Sequence, residues 1–533
     1  MSLGSFAHRR IERLSTNDAG RSRQRRWITY GALVSRVRVG VNGAPQRLRL
    51  RWRGLDRAHK VGLGGIAILT VAAVGVRLWL VLGYGQAFIG FPDSSVYADS
   101  ARHYSSIFGN RQPAGYPLFL RIMRSFSDQL SAPILVQHVA GIATGVLLYK
   151  AVLRTGAPPY LGLAPAAVVF FGGTGLLVEH ALLSDSLFAF FQALGLYAAV
   201  RALGESRLRW SLLSGLAFGL SFWLRTVGIG GLALVPALLI IAAPGNLRRR
   251  LLSAAAAAFA LILLVACYIV AQGFTTGYWG YEQQGAWNLY GRVATFVDCS
   301  HFTAPTGTAF LCPAEPLAHR RHQAAFQYSL HSPAVRRFGS PATAPPYANS
   351  LLQRFSVAVI EQQPDAYANA ILHSLTFFIS DRRGEGYTAK QLREKLFNRK
   401  GNTDPPDILA AYSHVHAGGM SGSVRPLVFY ESHTRVQGVF LVVLLVLALL
   451  SVALLRGRTR WASLLFTSTA ILMAILAVAG NRYDARYAYP DFGPLAAAAA
   501  LGAWAIATRL KQLLRRSPRP RTRRADARRA STT

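Results

Sequence analysis

The residues able to do chemistry in this chain lie in four short polar segments between long apolar runs. The first reads Phe91-Pro92-Asp93-Ser94-Ser95-Val96-Tyr97-Ala98-Asp99. The second supplies Glu179, His180 and Asp185, and the third Arg225. The fourth is Asn481-Arg482-Tyr483-Asp484-Ala485-Arg486-Tyr487. The acids are concentrated in the two early segments, the arginines in the two later ones. A carboxylate can take the proton of an attacking hydroxyl as a general base. Arginines can hold a phosphate leaving group through paired, charge-assisted hydrogen bonds. Asp93 after Pro92 also suits a plain helix start, where an acid favours the positive end of the dipole. Two acids and a histidine beside an apolar span are less readily explained by capping, because ionisable groups at that depth are costly.

The apolar runs must position these segments. The chain has 533 residues, 52% hydrophobic and only 15% charged, whereas a soluble domain carries about 25% charged residues. Nearly uncharged stretches recur between 61 and 271 and between 436 and 508. Each is roughly 18–22 residues, the length at which a helix crosses a bilayer. A soluble protein and a disordered chain are both excluded. The expected fold is an α-helical multi-pass membrane protein of about ten spans, near 61–83, 132–153, 159–178, 186–203, 209–224, 227–243, 251–271, 436–455, 461–480 and 489–508. Leu224-Arg225-Thr226 interrupts the run from Leu212 to Ala243, which reads as two helices with a turn. No signal peptide is expected, since the first long apolar run begins near Val61, behind a polar stretch.

The net charge of +36 follows the same division. Residues 1–60 hold 15 Lys/Arg against three acids, and 509–533 hold 10 against one. Basic arms can bind nucleic acid, but no aromatic interleaving or recognition fold accompanies them, so no nucleic-acid partner is expected. Arg154, Arg207, Arg248, Arg249, Arg250, Arg456, Arg458 and Arg460 fall on the same side as the tails. By the positive-inside rule that side is cytoplasmic, and membrane lipids attract such charge. The protein is thus expected in the plasma membrane with both termini inside. The division is a basic tail (1–60), a transmembrane core (61–271), an outside loop domain (272–434), three further spans (435–508) and a basic tail (509–533). Within the core, 84–131 is also an outside loop. The loop domain is nearly neutral, with 14 Lys/Arg and 11 acids. Its Cys299 and Cys312 are expected to form a disulfide in an oxidising exterior. Cys267, inside the seventh span, is expected as a small buried apolar residue.

Sugar transfer from a polyprenyl phosphate to a hydroxyl outside the membrane needs the parts collected at that face. The motif order points the same way. Pro92-Asp93-Ser94 with Tyr97, Gly115-Tyr116-Pro117-Leu118, Leu183-Ser184-Asp185-Ser186-Leu187-Phe188, then Arg225 and Arg486-Tyr487 with Pro490 follow one another. This order resembles the GT-C membrane glycosyltransferases, specifically the bacterial group akin to protein mannosyltransferases and the aminoarabinose transferase of lipid A. The resemblance implies an inverting transferase with a polyprenyl-phosphate-sugar donor and a glycan, lipid or protein acceptor. It implies Asp93 as general base and Asp185 as the acid that helps position the site. Arg225 and Arg486, with Arg482, would contact the donor phosphate. Glu179, His180, Tyr97 and Tyr487 would support them. A divalent cation, Mg or Mn, would sit on Asp93 and Asp185. The chain departs from many relatives in having Ser94, not a second acid, after Asp93. Two other readings are an envelope-polymer ligase using a polyprenyl-diphosphate donor, and a lipid or sugar transporter or flippase. A transporter usually places its polar residues at mid-span in paired halves; here they gather at one face.

Overall fold

The computed structural model describes residues 56–85, 87–108, 112–205, 207–281, 283–341, 343–380, 412, 423–481 and 483–516. The described residues lie almost entirely in one compact unit, Gly62–Thr533. Helix α1 (Arg57–Tyr84) leads into it, and Asp56 ahead of its first turn accepts the His59 N–H at 2.8 Å.

Two short helices follow α1, namely α2 (Pro92–Ser100) and α3 (Gly115–Arg124). Pro92 starts α2 because its fixed φ suits a first turn and its missing N–H costs nothing there. The bundle then runs through α4 (Ser131–Leu153), α5 (Leu163–Phe171), α6 (Gly173–Glu179), α7 (Asp185–Ala202), α8 (Leu208–Leu224), α9 (Gly231–Ala242) and α10 (Leu247–Thr276). A loop region carries α11 (Gln283–Ala294), α12 (Gln323–Tyr328), α13 (Pro333–Phe338), α14 (Tyr347–Gln362) and α15 (Pro364–Ile379). The chain returns through α16 (Val424–Thr434), α17 (Val439–Leu454), α18 (Gly457–Gly480) and α19 (Tyr489–Arg516).

Each of the ten expected spans falls on helix, but not all are full-length spans. Six helices among the described residues are long and apolar enough to cross a bilayer. A seventh is counted if α5 and α6, with the turn before α5, are one span bent by 56°. The remaining three, α7 to α9, are shorter or carry charge. α7 is largely buried, and α8 packs between α7 and α10. Gly215 permits that approach, since a side chain there would collide with the Ala257 carbonyl. The break at Arg225 is as expected, with a 3-10 turn (Thr226–Gly230) joining α8 to α9.

The loop region has its own core, built on Trp287, Tyr290, Phe326, Leu352 and Phe355. Cys299 and Cys312 are bonded at its edge. Cys267 differs from expectation and is exposed. The face of α10 that meets its neighbours passes through Ala257, Ala260, Leu261 and Tyr268, and Cys267 falls off that stripe.

Candidate active site

Asp93 lies in the first turn of α2, yet its carboxylate caps nothing. It accepts from Gln112 Nε2 at 3.0 Å and pairs with Arg486. Arg486 stands in a 3-10 turn (Ala485–Ala488) leading into α19. Asp484 sets that turn by accepting the Arg486 N–H at 3.1 Å, and its other oxygen lies 3.5 Å from Arg486 Nε. Arg486 Nη1 is 3.9 Å from Asp185, the first residue of α7. Asp185 in turn pairs with Arg225. The four charges form one alternating chain, Asp93 to Arg486 to Asp185 to Arg225. Tyr487 lies beneath both cations, its ring centre 4.5 Å from the Arg225 guanidinium and 5.4 Å from that of Arg486. Tyr97 places its hydroxyl 3.1 Å from Ser184, fixing the segment before Asp185.

Asp93, Tyr97, Arg225, Arg486 and Tyr487 line one side of a cavity of about 810 Å³. The Asp93 and Arg225 side chains keep 20% and 18% exposure, Asp185 only 1%. Asp93, Arg225 and, at 9% exposure, Arg486 line the cavity and can meet a ligand, whereas Asp185 does not line it and acts through its arginines. Burial opposes the charge on Arg225, but Asp185, Tyr487 and Tyr97 together outweigh it and hold the guanidinium above its usual pKa. Burial, and then Asp93, pushes the Tyr97 phenol up, so it stays a hydroxyl.

Glu179 and His180 are brought together elsewhere. Arg77 of α1 holds Glu179 in a fork, Nε to Oε2 at 2.9 Å and Nη2 to Oε1 at 2.8 Å. His138 of α4 lies 3.1 Å from Glu179 and 3.0 Å from His180. Gln137 donates to the carbonyls of Glu179 and Ala181 at 2.9 and 2.8 Å. These side chains are buried and do not line the cavity. Burial, with His138 next, drives the His180 pKa down to about 3, so the ring is neutral. The cluster pins the segment leading to Asp185. An arginine inside the first apolar run was the available sign of it. Gln112 has no such signal. Arg482 lies outside the described residues.

The loop region also lines the cavity, through residues including Tyr278, Tyr281 and Gln284. Trp287 instead sits in that region's core, and Trp279 packs on Phe274 at 5.5 Å. As a cation site the carboxylates fit poorly. Asp93 and Asp185 already face guanidinium groups, and no cluster of three His, Cys, Asp or Glu suited to a metal occurs among the described residues. A hard cation such as Mg needs several open oxygen ligands.

With this geometry in hand, comparison with known proteins gives one family. Residues 111–272 match the dolichyl-phosphate-mannose-protein mannosyltransferase family. That stretch contains Gln112, Asp185 and Arg225, while Asp93 and Arg486 lie on either side of it. It agrees with the GT-C resemblance of the motifs. Among solved structures, the archaeal oligosaccharyltransferase AglB from Archaeoglobus fulgidus, in complex with an inhibitory peptide and a dolichol-phosphate, is similar at 12% identity and a TM-score of 0.44. The match covers 85% of this chain and 51% of that one. The A. fulgidus oligosaccharyltransferase in its apo form matches at 13% identity and a TM-score of 0.43, covering 85% and 52%. Its complex with Zn and sulfate matches at 14% and 0.42, covering 83% and 50%. The chain thus spans about half the length of these structures. No curated protein matches.

Proposed function

We propose that the protein is an integral membrane glycosyltransferase that moves a sugar from a polyprenyl-phosphate donor to an acceptor hydroxyl. The observation that carries this reading is the meeting of Asp93, Arg225 and Arg486 on one cavity wall at one end of an apolar helical bundle. The two arginines suit the donor phosphate, and apolar helix surface beside them suits its lipid chain. Asp93 accepts the proton of the acceptor hydroxyl as its oxygen attacks the anomeric carbon. The bond from that carbon to the phosphate oxygen breaks, and polyprenyl phosphate departs with the added negative charge facing Arg225 and Arg486. Attack opposite the leaving phosphate inverts the anomeric carbon. No step is routed through a metal ion, since both acids are engaged by arginines. The positive-inside pattern supports a cavity on the outer side of the plasma membrane, with both termini inside.

The test is turnover of labelled polyprenyl-phosphate sugars in membrane vesicles containing the protein, across hexose and pentose donors. Transfer to endogenous acceptor supports the reading. Consumption of only polyprenyl-diphosphate donors would replace it with the ligase reading.

A further inference from the structure

The wall of the cavity that the loop region supplies has a distinct chemistry. Among the described residues, every side chain that α11, α12, α14, α15 and the Tyr278–Tyr281 segment contribute to the lining is uncharged. The polar ones are tyrosines and carboxamides. Gln284 Nε2 donates to Asn288 Oδ1 at 3.2 Å and to the Tyr328 hydroxyl at 3.1 Å. Gln327 Nε2 donates to the same Asn288 oxygen at 3.1 Å. Asn288 is also held through its backbone, whose carbonyl accepts from Gln323 at 3.0 Å. Gln284, Asn288 and Gln327 are therefore tied into one network before any ligand arrives. Tyr281, 48% exposed, lines the cavity and stands edge-on to Phe222 at 6.0 Å between ring centres.

We infer that this wall binds the acceptor, and that the acceptor is a neutral carbohydrate chain. The inference rests on the glycosyl-transfer reading and deepens it by naming the acceptor class. Sugar hydroxyls both donate and accept, and carboxamides and phenols are the side chains that answer with both. A tyrosine face takes the apolar C–H side of a pyranose or furanose ring while its hydroxyl stays wet. An acidic or basic acceptor would find no opposite charge among the described residues of this wall. A polypeptide docking by strand addition needs a free sheet edge, and the described residues contain only one isolated bridge, Phe88 with Ala181. The charged wall then takes the donor phosphate and the neutral wall the incoming glycan, with the reacting atoms between.

The experiment uses the full chain in lipid nanodiscs, probed with an array of neutral oligosaccharides and, separately, with polyprenyl phosphate and a polyprenyl-phosphate sugar. The wild-type protein should retain neutral oligosaccharides. Tyr281→Ala and Gln284→Ala should each weaken that binding about tenfold or more, leaving both polyprenyl probes unchanged. Tyr281→Phe keeps the ring and should retain most of the binding, which separates loss of stacking from loss of fold. Retention of serine- and threonine-bearing peptides in place of oligosaccharides would overturn the inference, as would binding indifferent to both alanine variants. Weakened binding of the polyprenyl-phosphate sugar, with polyprenyl phosphate unaffected, would assign the wall to the donor sugar instead. If oligosaccharides bind but labelled donor is never consumed, the transfer reading fails while the carbohydrate wall stands.

Discussion

Asp93 and Arg486 stand 393 residues apart in the chain and form an ion pair at the edge of the central cavity. The pair joins a short helix behind the first span to the turn that opens the last. Asp93 keeps enough exposure to meet a ligand from this position, so its partner and its reactive face are fixed by separate parts of the fold.

The Arg225–Asp185 pair predicts a stability effect with a definite pattern. Arg225→Gln leaves the covered Asp185 carboxylate without its main partner. The cost should be about 3 kcal/mol or more, as for breaking a buried ion pair from one side. Adding Asp185→Asn should recover most of it. Thermal unfolding of the two single variants and the double variant in detergent measures this. Additive losses would show that the two side chains are not coupled.

Arg486→Lys tests recognition, not charge. Lysine keeps the charge but gives up the planar fork that can meet a carboxylate and a phosphate together. Donor affinity should fall at least about tenfold while the folded yield holds, read from titration with polyprenyl phosphate. Unchanged affinity would remove Arg486 from the phosphate site.

The Arg77–Glu179 fork should act on folding. Arg77→Met strands a buried carboxylate and should cost about 3–5 kcal/mol, whereas Arg77→Met with Glu179→Leu should be much milder. Activity per folded molecule should change little in the double variant. A selective loss of turnover with normal unfolding would move this cluster into the reaction itself.

These contacts explain what the sequence made visible. Apolar run length revealed the helices, and the interruption at Arg225 revealed a turn, because charge in lipid is costly and must be local. The types of the candidate residues were legible too: an acid after Pro92, an acid at the start of α7 and arginines late in the chain. Their partners were not. Nothing local pairs Asp93 with Arg486 or Glu179 with Arg77, since those bonds depend on how helices from distant parts of the chain pack. The resemblance singled out Asp185 over Glu179, six residues away, but not the partners of either: Glu179 is held by Arg77 away from the cavity and Asp185 by Arg225 behind its wall. Cys267 was misjudged for the same reason, as a single apolar helix does not reveal which stripe meets protein.

The Cys299–Cys312 bond should be found intact by mass mapping of unreduced peptides. Replacing both with serine should lower the stability of the loop region by about 3 kcal/mol, the expectation for closing a loop of this size. Free thiols at both positions would contradict the pairing.

The most direct measurement of the central claim is transfer by Asp93→Asn in vesicles given labelled polyprenyl-phosphate sugar. Asparagine keeps the shape and the contact with Gln112 but cannot take a proton. Transfer should fall by a factor of about 10²–10⁴, with donor binding and insertion retained. Product formation at the wild-type rate would contradict Asp93 as the base.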